Sequence, residues 1–186
     1  MLSGGAGLGV GFLLAGWWQD RRSEKVDEHG LPVAELDLGD AEGLAAQAAD
    51  GPVFHPAGRG RIAVLRWEPD HASPRGDVLE RYGPDGEDHP ILTDGVGLMV
   101  VALASPHCGC LVAWCDTSRW FEGPCHGSRF NRWGEWTGGP APRGLDRYRS
   151  RVDPDGRLVA SLTRQIVGMH RESGLLEQSP EGPACV

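Results

Sequence analysis

Two stretches decide how this chain reads: Ala104-Ser105-Pro106-His107-Cys108-Gly109-Cys110 and Glu122-Gly123-Pro124-Cys125-His126-Gly127-Ser128-Arg129-Phe130-Asn131. Each follows a strand-like segment, and each sets a histidine beside cysteine, glycine and proline. One histidine alone is more often a surface residue than a ligand. Two loops that repeat the combination point to a metal centre, because imidazole and thiolate donors select iron, zinc or copper.

The flanks of these loops read as β-structure. Residues 98–104 are a continuous apolar run of strand length, the pattern of a buried strand. Residues 61–67 are rich in β-formers and read as another. Beyond the loops, Tyr148, Ser150 and Val152 alternate with arginines, Asp153-Pro154-Asp155-Gly156 makes a turn, and Leu158, Ala160 and Leu162 alternate on the return. That is a hairpin. Between residues 69 and 97, Pro74, Pro84-Asp85-Gly86 and Asp94-Gly95 mark a long turn-rich excursion. Composition agrees: 28 glycines and 14 prolines make 42 of 186 residues, about twice the usual share and poorly suited to long helices. The expected fold class is therefore all-β. A formal net charge of −8 argues against nucleic acid as a partner, since phosphate contacts need clustered Lys and Arg. Five cysteines leave at least one thiol unpaired within the chain.

Residues 2–18 carry no charge and sit at the short end of bilayer-spanning length. Trp17 and Trp18 fall where an interfacial belt would lie, and Arg21, Arg22 and Lys25 follow at headgroup depth. The spacing predicts a membrane anchor over 2–18, with a signal-sequence remnant or a buried helix as the alternatives. The basic residues after the span favour a cytoplasmic C-terminal bulk, whereas cysteines, if they pair, belong outside the cytoplasm. Basic residues ahead of residue 1 would reconcile the two. Residues 19–51 read as an acidic linker with a short Ala-rich helix, 52–163 as the β domain, and 164–186 as a weakly patterned tail that ends near a lone Cys185.

The paired loops resemble the two cluster loops of the Rieske iron–sulfur family, C-x-H-x-G-C and C-P-C-H-G-S-x-[FY]-[DN]. Gly139-Pro140-Ala141-Pro142 resembles the proline loop of that family's quinol-oxidising branch. The resemblance covers residue 98 to about residue 162. It implies antiparallel sheets with a two-loop cluster-binding tip, behind one N-terminal membrane helix. It also implies a [2Fe–2S] cluster with one iron on two His and the other on two Cys, which raises the potential above that of all-Cys clusters. The implied partners are cytochrome b-type and c-type subunits of a membrane complex, with quinol as electron donor. The β domain would lie on the extracytoplasmic face of the cell membrane. By position, His107 and His126 match the His ligands, and Cys110 and Cys125 match the disulfide that pins the loops. Ser128 matches the serine that hydrogen-bonds cluster sulfur. Phe130 stands where many members carry a tyrosine whose hydroxyl tunes the potential.

The departure lies at the other two ligands: Ser105 and Gly123 occupy the ligand-cysteine positions. Serine alkoxide is a harder ligand than thiolate, and glycine offers none. Three readings remain open. The chain is a Rieske-type subunit with a degenerate site and a structural role; or a cluster persists through Cys108, Cys115 or the bridge cysteines, and the chain carries electrons from quinol to a cytochrome; or His107, Cys110, Cys125 and His126 form a mononuclear zinc site.

Overall fold

A computed structural model describes residues 34–56, 62–67, 97–171 and 178–186. The expected membrane anchor at 2–18 and nearly all of the 69–97 excursion lie outside the described residues. Among those described, no helix is long and apolar enough to cross a membrane.

Among the described residues, ten strands and one short helix follow in order: β1 (Glu35–Asp40), α1 (Ala41–Gln47), β2 (Val53–His55), β3 (Ile62–Arg66), β4 (Leu98–Ala102), β5 (Ala113–Cys115), β6 (Trp120–Glu122), β7 (Arg129–Phe130), β8 (Trp136–Gly138), β9 (Arg147–Val152) and β10 (Arg157–Ile166). They form two antiparallel sheets. The larger has the order β1-β10-β9-β4-β3-β2 and the smaller β5-β6-β7-β8. The described residues are all-β apart from α1.

Strand β4 sits between β3 and β9 and is buried along its whole length. Its alternation divides the core. Met99 and Val101 join Ala63, Leu65, Phe121, Phe130, Trp133 and Leu145 in a cluster shared with the small sheet. Leu98 and Val100 join Ile62, Val64, Leu38, Leu44, Leu158 and Ala160 on the opposite face, under α1. A strand buried on both faces has no polar positions, which is why the sequence shows a run rather than an alternation.

Two sequence boundaries need correcting. Residues 35–51 are built into the fold rather than serving as linker: β1 pairs with β10, from Glu35 opposite Ser161 to Asp40 opposite Arg157. Leu38 is 6% exposed, so the strand is held by core burial as well as by its ladder. Asp40 then caps α1, its Oδ2 accepting the Gly43 N–H at 2.6 Å. This is the N-cap bond that short helices rely on. The tail is also structured in part, because β10 continues to Ile166 and residues 178–186 return to the small sheet.

Candidate metal-loop tip

Both cluster-type loops project from the small sheet. The first leads into β5 and is closed at its base by the Ala104–Leu111 bridge. The second joins β6 to β7. The two loops are conformational twins. In the first, Ser105 N–H donates to Cys110 O at 2.8 Å and Gly109 N–H donates back to Ser105 O at 2.8 Å. In the second, Gly123 N–H donates to Ser128 O at 2.7 Å and Gly127 N–H donates to Gly123 O at 2.9 Å. Gly109 and Gly127 have φ of 72° and 71°, a left-handed conformation that glycine adopts without a Cβ penalty. Pro106 and Pro124 occupy matching second positions. The shared pattern x-Pro-x-x-Gly was legible in the sequence as a repeated turn.

The histidines meet across the two loops, His107 from the third position of its loop and His126 from the fourth. The His107 and His126 rings have centroids 5.0 Å apart and lie nearly perpendicular, at 81°. Both side chains are exposed. Cys110 and Cys125 are disulfide-bonded across the loops. Cys108 is the free cysteine, and it is exposed. Cys115 is bonded to Cys185, so its sulfur is committed to the tail and does not substitute as a ligand. This second bridge was not anticipated, since pairing among several cysteines does not follow from sequence.

The remaining residues lie beneath the tip. Ser105 is 3% exposed, and its Oγ accepts the His107 N–H at 3.4 Å. Ser128, 2% exposed, accepts the Ala141 N–H on Oγ at 3.1 Å and so fastens the proline loop to the second tip loop. Phe130 is fully buried in the shared core. Gly139, with φ of 82°, packs backbone to backbone, and a Cβ there would collide with the Gly127 carbonyl and with Ser128 Cα.

The donor set does not suit a [2Fe–2S] cluster. One iron would find two imidazoles. The other would find Ser105, no side chain at Gly123, and two cysteines already joined to each other. The space at Gly123 is close: a Cβ built there would stand 3.2 Å from Ser128 O and 3.6 Å from Ser128 Cβ. Among the described residues, one group of three or more metal-ligating side chains lies close together: Cys115, Glu122 and Cys185. There the sulfurs are bonded to each other, and the carboxylate accepts hydrogen bonds from Ser118, Cys185 and Val186.

No family model matches the chain. Its sequence is similar to cytochrome b6-f complex iron–sulfur subunits. It is 33% identical over 70 residues to that of Chlorobaculum thiosulfatiphilum, covering 38% of this chain and 39% of the relative. It is 31% identical over 105 residues to that of Prochlorococcus marinus, covering 55% and 58%. The chain thus spans roughly two-fifths to three-fifths of these relatives' lengths. Among solved structures, the soluble domain of Rieske protein II from Sulfolobus acidocaldarius is similar at 15% identity and TM-score 0.47, over 81% of this chain and 86% of that one. The plasma membrane Rieske protein of Synechocystis PCC 6803 is similar at 22% identity and TM-score 0.41, over 67% and 97%. Sequence relatives and paired loops together define an antiparallel β domain with a Rieske-type tip. These sequence relatives agree with the resemblance of the paired loops to the Rieske iron–sulfur family.

Proposed function

We propose that the chain is a Rieske-type subunit of a quinol-oxidising, cytochrome bc-like membrane complex, and that it has a structural or assembly role with no [2Fe–2S] cluster at its tip. One observation carries the reading: two facing imidazoles with serine and glycine in place of both ligand thiolates, and Cys110, Cys125 and Cys115 spent in disulfides, which leaves the exposed Cys108 as the single free thiol against a requirement for two. The charge-free run at 2–18 supports a membrane anchor, and two disulfides favour an extracytoplasmic β domain. By kinship with complex subunits, cytochrome b-type and c-type chains are the expected partners.

The test is iron, acid-labile sulfide and zinc analysis of the full chain purified from native membranes without chelators. The expected result is neither iron nor sulfide, with a cytochrome b-type subunit co-purifying. Equal, near-stoichiometric iron and sulfide would overturn the reading and make the chain an electron carrier.

The ring geometry favours a second reading, a mononuclear zinc site on His107 and His126. One tetrahedral ion bound to a nitrogen of each ring at about 2.0–2.1 Å would set the centroids roughly 5 Å apart. With Cys110 and Cys125 bonded, water would complete the shell. Stoichiometric zinc, lost on His126→Ala, would establish it.

A further inference from the structure

Residues 178–186 lie against the small sheet as a strap, fastened at several points. Cys185 is bonded to Cys115 at the end of β5. Thr117 Oγ1 donates to Pro183 O at 2.7 Å, Glu181 N–H donates to Ser118 O at 3.1 Å, and Arg132 N–H donates to Gln178 Oε1 at 2.9 Å. The strap's last residues then converge on one carboxylate. Glu122 is 1% exposed, and its Oε2 accepts the N–H groups of Cys185 at 2.8 Å and Val186 at 2.9 Å. Its Oε1 accepts the Ser118 hydroxyl at 2.8 Å. Arg129 Nη2 reaches Val186 O at 3.5 Å.

The location gives this clasp its consequence. Glu122 immediately precedes Gly123, and Arg129 immediately follows Ser128. The two are paired across β6 and β7, and theirs is the last rung of that ladder before the second tip loop. The strap therefore grips both stems of the loop that carries Cys125 and His126. A carboxylate out of water needs its donors, and here two of three come from the strap. Loss of the strap exposes Glu122 to water and leaves the final rung to fray.

We propose that Cys185 and Glu122 are positioning residues for the second tip loop, holding His126 against His107 through the strap. The inference rests on the tip being the working surface of the chain, but it does not depend on what the tip binds. The first loop supplies an internal control, because it has the same two backbone bonds and, among the described residues, no hydrogen bond to the strap.

The experiment is amide hydrogen exchange on the full chain, with proton NMR contacts between the two imidazole rings. In Cys115→Ser/Cys185→Ser, exchange at Gly123 and Gly127 is expected to quicken at least tenfold. Exchange at the twin amides of Ser105 and Gly109 changes less than twofold, and the ring-to-ring contact weakens. In Glu122→Gln, with the disulfide intact, the same pair quickens about threefold. A purely structural role would loosen both loops alike. Equal change in the twin loops, no change in the second loop, or global unfolding of the first variant with Glu122→Gln unaltered would each overturn the proposal. Iron, sulfide and zinc contents are separate readouts, so failure here is distinguishable from failure of the assigned function.

Discussion

Ser105 and Gly123 occupy equivalent first positions in twin loops, and both are buried. That equivalence makes the lost donors testable one residue at a time. Ser105 already places Oγ on a Cβ, so Ser105→Cys exchanges one atom. Gly123 has no left-handed φ, so a cysteine there meets no backbone strain. It must move Ser128 O, at 3.2 Å, by a few tenths of an ångström. Ser105→Cys/Gly123→Cys is expected to take up about two iron and two sulfide per chain on anaerobic reconstitution, matching a cluster with two His and two Cys ligands. Either single variant is expected to take up neither. Iron and sulfide assays beside the visible spectrum decide the matter. An empty double variant would mean that the loops have closed beyond what the two thiols reopen.

Among the elements, the turn after β7 shows how a motif residue acts without touching the tip. Asn131 is fully buried, and its Oδ1 accepts the N–H groups of Trp133 at 3.0 Å and Glu135 at 2.9 Å. Its Nδ2 donates to Glu135 Oε2 at 3.0 Å. Asn131→Ala strands these groups at once, and a loss of about 3 kcal/mol is expected from the denaturant midpoint at unchanged slope. The β1–β10 pair behaves differently because it is exposed. The Arg157 guanidinium, hydrogen-bonded to Asp37, holds that carboxyl below its ordinary value of 3.8. A depressed folded pKa contributes stability above the unfolded value, and that contribution is lost as pH falls through the folded one. NMR titration should therefore place Asp37 below 3.8, and Arg157→Gln should return it upward. No change in Arg157→Gln would show that the pair is not formed in solution. Such pairs on an open strand add little to stability.

At the scale of the molecule, much of the fold was legible where burial writes a pattern. The 98–102 run, the 147–166 hairpin and the two loops are all visible in the sequence. The β1 strand was hidden because its core-facing Leu36 and Leu38 are few and sit among acidic residues. The strap was hidden because nothing local marks which of the four other cysteines meets Cys185. Of the site, the residue types and their match between loops could be read, but the commitment of Cys115 to the tail could not. The two bridges also divide the chain's stability unequally. Cys110–Cys125 closes a separation of 15 residues and Cys115–Cys185 one of 70. The chain-entropy relation gives about 3 kcal/mol for the first and between about 4 and 5 kcal/mol for the second. The two loops interleave, so these figures do not add. At about 2–4 °C per kcal/mol for a domain of this size, Cys115→Ser/Cys185→Ser should lower Tm by roughly 10 °C or more. Cys110→Ser/Cys125→Ser should lower it by several degrees less. Calorimetry of both variants beside the oxidised chain checks the order. A larger drop from the tip pair would mean that the tip bridge, rather than the strap, supports the small sheet.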